Sequence, residues 1–113
     1  MPQSLTVLVH TAAFLDSDEN AVKSPGKLYF LVVTNIGESP VQLTHVWVEG
    51  DPVVHVLDKL PKYLKPEQQY VTWVAESVLA HVEDPFTAFR VFTSRQNTFT
   101  SERNEQIPPK GAA

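Results

Sequence analysis

The chain has 113 residues, no cysteine and a formal net charge of −4 from 9 basic and 13 acidic side chains. That length supports one hydrophobic core without disulfides or thiolate metal sites, and the acidic balance argues against binding driven by phosphate neutralisation on DNA or RNA. With 42% apolar and 19% charged residues, the composition is that of an ordinary globular domain, which excludes a disordered or collagen-like chain.

The residue types favour strands. There are sixteen Val, nine Thr and two Ile, with six Phe, three Tyr and two Trp, and these are the types that fit a pleated, half-buried surface. The first strand is expected over residues 5–14. An acidic turn, Asp16-Ser17-Asp18-Glu19-Asn20, follows. Its alternating oxygens suggest a calcium loop, but it lacks the turn glycine and the downstream bidentate Glu, so it reads as a solvated turn. Residues 27–36 form the second strand, apolar on both faces and hence central in a sheet. Gly37-Glu38-Ser39-Pro40 is a turn, and residues 41–49 the third strand, so the pair reads as a hairpin.

Gly50-Asp51-Pro52 breaks the chain before a short edge strand at 53–57. Residues 58–66, with two prolines, read as a loop. With Lys59, Lys62 and Lys65 it reads as a solvated loop whose leucines fold back on the core, the alternative being a small basic spot for an acidic partner. The fifth strand covers 68–74, and the one short helix is placed at about 76–82 and ended by Asp84-Pro85. Strands at 87–93 and 98–101 flank the turn Ser94-Arg95-Gln96-Asn97. About seven short strands punctuated by turn residues predict an all-β, single-domain antiparallel β-sandwich over 1–103. An extended, proline-containing tail over 104–113 follows.

No apolar run reaches the length of a membrane span. No Lys or Arg precedes the short apolar N-terminal stretch, so a cytoplasmic location is expected. Chemistry is sparse. There is no Gly-x-Ser-x-Gly turn and no glycine-rich phosphate loop, so no enzyme activity and no cofactor are expected. His10, His45, His55 and His81 lie ten or more residues apart, without the close spacing of a zinc site.

The third strand is more informative. Regular alternation puts Leu43, His45 and Trp47 on one face and Thr44, Val46 and Val48 on the other, and neither face is polar. Val71 and Trp73 oppose Tyr70, Thr72 and Val74 in the fifth strand, and Phe89 and Val91 oppose Arg90 and Phe92 in the sixth. Surplus apolar faces are covered either by the same chain or by a partner.

Thr44-His45-Val46-Trp47, Leu60-Pro61-Lys62-Tyr63-Leu64-Lys65-Pro66-Glu67, Thr72-Trp73 and Ser101-Glu102-Arg103-Asn104 running into Ile107-Pro108-Pro109-Lys110-Gly111 occur together here. In this combination the chain resembles a family of short, uncharacterised bacterial proteins over residues 28–111. The resemblance implies an immunoglobulin-like sandwich and a bacterial source, and carries no catalytic role. Relatives tend to have glycine in the turn where this chain has Ser94-Arg95-Gln96-Asn97.

The reading is a small non-enzymatic module for protein–protein interaction, with an unknown protein partner or self-association. His45, Trp47, Trp73, Arg90, Phe92 and Arg103 are the candidate binding residues, with Trp47 and Trp73 as aromatic anchors. Its rivals are a carboxylate- or sugar-binding module, with a pocket joining His45 to Trp73 or Arg103, a metalloprotein using His45 and Glu49, and a structural subunit of a larger assembly.

Overall fold

Strict alternation of large apolar side chains builds the long strands. The computed structural model describes residues 4–13 and 27–104. In it, β1 (Leu5–Ala13), β2 (Lys27–Asn35) and β6 (Gln69–Ala75) send Val7, Val9, Leu31, Val33, Tyr70 and Val74 into one core. β3 (Val41–Val48) and β7 (Phe89–Thr93) meet them with Val41, Leu43, Val46, Val48, Phe89 and Val91. Each such side chain contributes roughly 1.5–3 kcal/mol by leaving water. The remaining strands among the described residues are β4 (Val54–Val56), β5 (Lys62–Leu64), β8 (Thr98–Thr100) and β9 (Glu102–Arg103).

Two open sheets result. The first runs β6-β2-β1-β9, with β9 parallel to β1. The second runs β4-β3-β7-β8, with β5 pairing the start of β3. β2 is thus central, as its two-sided apolar pattern requires. No helix among the described residues is long and apolar enough to cross a membrane.

The expected hairpin of the second and third strands does not form. β2 lies in the first sheet and β3 in the second. Asn35, fully buried at the end of β2, makes the crossing. Its Nδ2 donates to Ser39 O (2.8 Å) and Leu64 O (3.0 Å), and its Oδ1 accepts from Gly37 N (2.9 Å). A second crossing lies at buried Ser101. Its Oγ accepts from Phe89 N (3.1 Å) and donates to Phe86 O (2.8 Å) as the chain passes from β8 to β9.

Four other expectations change. The 58–66 loop contains β5, because Leu64 is fully buried opposite Val41. The helix expected at 76–82 is a 3-10 turn, Glu76–Leu79, whose buried anchor is Leu79 and whose N-cap, Ala75, has no side-chain cap bond. A single helical turn, α1 (Pro85–Ala88), occupies the start of the expected 87–93 strand, capped by Asp84 Oδ1 accepting from Phe86 N (3.2 Å). Finally, residues 102–103 belong to the first sheet as β9, and Asn104 N continues it by donating to Val9 O (2.9 Å). The acidic 16–20 turn and residues 105–113 lie outside the described residues.

β3 carries the feature that positions the candidate site. Leu43 opposes Thr93 and His45 opposes Phe92, so Thr44 is an extra residue bulged out of the ladder. Beyond it the alternation changes phase. Val46 and Val48 join Leu43 in the core, while His45 is exposed and Trp47 half-buried. The regular facing read from sequence is therefore corrected. A bulge lets two residues oppose one and re-aims the side chains that follow.

Candidate binding surface

The outer face of the second sheet is built by residues left over when the core is filled. From β3 come His45 and Trp47, and from β7 come Arg90 and Phe92. The register sets Trp47 beside Arg90 on one side and beside His55 of β4 on the other, and His45 beside Phe92. The ring of Phe92 lies 5.8 Å from that of His45, edge-on at 61°, and 6.5 Å from that of Trp47. These separations are those of ordinary aromatic contacts.

Polar groups hold the aromatic rings in place. Trp47 Nε1 donates to Glu49 Oε2 at 2.7 Å, and Arg90 Nε lies 4.0 Å from the same oxygen. Arg90 Nη1 donates to the carbonyls of Thr87 (2.7 Å) and Phe89 (3.0 Å). Glu49 therefore holds the indole, with the guanidinium at the limit of ion-pair distance from the same carboxylate. The ion pair is solvent-exposed, so its value lies in orientation more than in energy. Thr44 Oγ1 donates its one proton to Phe92 O (3.2 Å), so His45 Nδ1, 3.0 Å away, donates to Thr44 Oγ1. In the neutral ring this leaves Nε2 as an acceptor.

A depression of about 350 Å³ opens on this face, lined by His45, Trp47, Val53 and His55. Its lining offers one indole face, two imidazoles and an aliphatic wall. Among the described residues no three His, Cys, Asp or Glu side chains come together as a metal site.

The structure thus gathers His45, Trp47, Arg90 and Phe92, but not the other two candidates. Trp73, 55% exposed, lies on the outer face of the first sheet opposite Phe30. Arg103 lies on β9 with its guanidinium 3.7 Å above the Phe86 ring, a cation–π contact that ties β9 to α1. The depression beside His45 is lined by neither Trp73 nor Arg103. Sequence reasoning missed His55 and Val53. The signal was present in Val53-Val54-His55-Val56, whose alternation after the Gly50-Asp51-Pro52 break sends Val54 and Val56 inward and His55 outward beside Trp47.

No family model matches the chain, and no curated protein is similar to it. Among solved structures it is similar to the X-ray structure of a Northeast Structural Genomics Consortium target, SoR45. The identity is 14% and the TM-score 0.42, over 92% of this chain and 89% of that one.

Proposed function

We propose that the chain is a non-enzymatic binding module of immunoglobulin-like build that engages a partner protein through the outer face of its second sheet. One observation carries the reading: His45, Trp47, His55, Arg90 and Phe92 converge on one exposed face, with the indole pinned by Glu49. Aromatic residues and Arg are the types that anchor interfaces, and a pre-oriented ring loses little rotamer freedom on binding. The strand order β4-β3-β7-β8 against β6-β2-β1 supports the immunoglobulin-like part, as does the resemblance to the short bacterial family.

A small sugar or carboxylate is the second reading, favoured by the open depression of about 350 Å³ beside Trp47. The test uses the full chain as bait in host lysate, comparing wild type with Trp47→Ala and Trp73→Ala. A stoichiometric partner whose affinity falls at least ~10-fold with Trp47→Ala, and is unchanged with Trp73→Ala, supports the proposal. A partner indifferent to Trp47→Ala overturns it. Recovery of bait alone, with Trp fluorescence titrated by glycans or carboxylates, moves the reading to the small-ligand class.

A further inference from the structure

Histidines far apart in the sequence can meet only through the fold, and here the fold pairs two of the four. His10 lies on the first sheet, stacked on Phe30, and His81 Nε2 is 2.8 Å from Pro52 O. His45 and His55 share the outer face of the second sheet. Trp47 is directly opposite His55 in the β3–β4 ladder. His45 stands two residues before Trp47, so the two histidines are diagonal neighbours on adjacent strands. Two depressions, of about 240 and 350 Å³, are each lined by both of them. The imidazoles therefore stand together between the two hollows.

The bulge at Thr44 creates this pairing. It keeps Leu43 in the core while His45 turns out to solvent. It also prepares the ring. Thr44 Oγ1, whose own proton goes to Phe92 O, accepts from His45 Nδ1. That fixes the tautomer in which Nε2 carries the lone pair, and a hydrogen bond on the far ring nitrogen is how proteins hold a histidine in its metal-binding tautomer. Glu49 bonds Trp47 Nε1 at 2.7 Å and lines neither hollow.

We infer that His45 and His55 chelate one divalent late transition-metal ion, Cu²⁺ most tightly, with water in its remaining coordination positions. Diagonal neighbours lie about 7–8 Å apart, and an ion about 2.0–2.1 Å from each ring nitrogen spans that separation. Two imidazoles without a thiolate suit Cu²⁺, Ni²⁺ and Zn²⁺ rather than Mg²⁺ or Ca²⁺, and Cu²⁺ stands first in the divalent series. The net charge of −4 favours the approach of a cation. No third His, Cys, Asp or Glu joins the pair among the described residues. The site is therefore open and exchanging, unlike a closed four-ligand structural site. It shares its face with the function proposed above but needs no partner protein, so either reading can fail alone.

Metal titration of the full chain tests it. The protein carries no affinity tag, and Trp73→Phe leaves Trp47 as its single indole. Its fluorescence is followed as CuCl₂, NiCl₂ or MgCl₂ is added in a non-chelating buffer. Cu²⁺ and Ni²⁺ should quench the adjacent indole saturably at one ion per chain, Cu²⁺ the more tightly, while Mg²⁺ has no effect. His45→Ala and His55→Ala each weaken Cu²⁺ binding at least ~10-fold, because either leaves one ligand where a chelate stood. His10→Leu, on the other sheet, leaves it unchanged. Thr44→Val loses part of the affinity, and Thr44→Ser keeps it. His55 is exposed, so His55→Ala melts at the wild-type temperature without metal, and its lost binding is the loss of a ligand. Quenching that does not saturate below about 1 mM Cu²⁺, that survives either His substitution, or that Mg²⁺ reproduces overturns the inference.

Discussion

Asn35 tests how the two sheets are held together. Its carboxamide is fully buried, and every polar atom is used, by Ser39 O, Leu64 O and Gly37 N at 2.8–3.0 Å. Asn35→Ala removes all three bonds. It leaves intact the backbone bonds to Gln68 O (3.1 Å) and from Glu67 N (2.7 Å). At a net ~1 kcal/mol per neutral bond the loss is about 3 kcal/mol, and stranding the Leu64 carbonyl adds to it. A chain of 113 residues has a melting entropy of roughly 0.24 kcal/mol/K, so the midpoint falls by about 12 °C. Asn35→Asp is the informative companion. It keeps an acceptor for Gly37 N but turns a carboxylate toward two carbonyls, so at neutral pH it destabilises at least as much. Acid protonates it, restores one donor and recovers part of the loss. Thermal and urea unfolding, followed by Trp fluorescence at neutral and acid pH, read all three proteins. A loss below about 1 kcal/mol in both variants would mean that water replaces the carboxamide, and the account of the crossing would fail.

Three further outcomes follow from single residues. Burial pushes the Tyr70 phenol up to about 12, partly offset by Thr72 and reinforced by the Asp58 charge, while its OH donates to Asp58 O at 2.6 Å. The raised value means that this stabilisation is complete below pH 10 and is lost as pH rises through 12. Against Tyr70→Phe, wild type should therefore lose on the order of 2 kcal/mol more over that window in alkaline denaturation, and parallel curves would refute it. His10, stacked on Phe30 at 5.5 Å with its Nδ1 buried and unpartnered among the described residues, is held below the usual 6.5 by burial. The unfolded chain then protonates first, so stability declines as pH falls below 6.5, and His10→Leu flattens that decline in acid titrations of unfolding. Gln96 sits in the β7–β8 turn at φ 68°. Gln96→Gly should stabilise by about 0.5–1 kcal/mol in urea titrations, and a destabilised variant would show that the Gln side chain outweighs the backbone relief.

Much of the strand pattern is legible in the sequence because burial writes period two into it. The central place of β2 and the β7–β8 hairpin both follow from that. What hides is whatever depends on a partner far along the chain. The crossing at Asn35 looks like a hairpin turn, because its carboxamide finds the Leu64 carbonyl 29 residues away. β5 is short and proline-flanked, and only the start of β3 makes it a strand. The candidate site is legible in part: His45, Trp47, Arg90 and Phe92 lie on paired strands and come together. Trp73 and Arg103 belong to the other sheet, which residue type alone does not reveal. The outward direction of Trp47 needed the bulge, and one-residue slips exchange faces.

Thr44 has a bearing on how length variation is tolerated. In most buried strands, removing one residue inverts every position downstream. Here Leu43 already opposes Thr93 while His45 opposes Phe92, the neighbour of Thr93. Deleting Thr44 closes a gap in the numbering and leaves both partner lists as they are. The core half of β3 and its surface half are in effect two phrases joined by a spacer. Shortening the spacer forfeits only the hydroxyl that bonds Phe92 O and His45 Nδ1. The imidazole would then keep its edge-on contact with Phe92 but lose its polar anchor, so a change of length at this one position re-poses the surface above an unchanged interior.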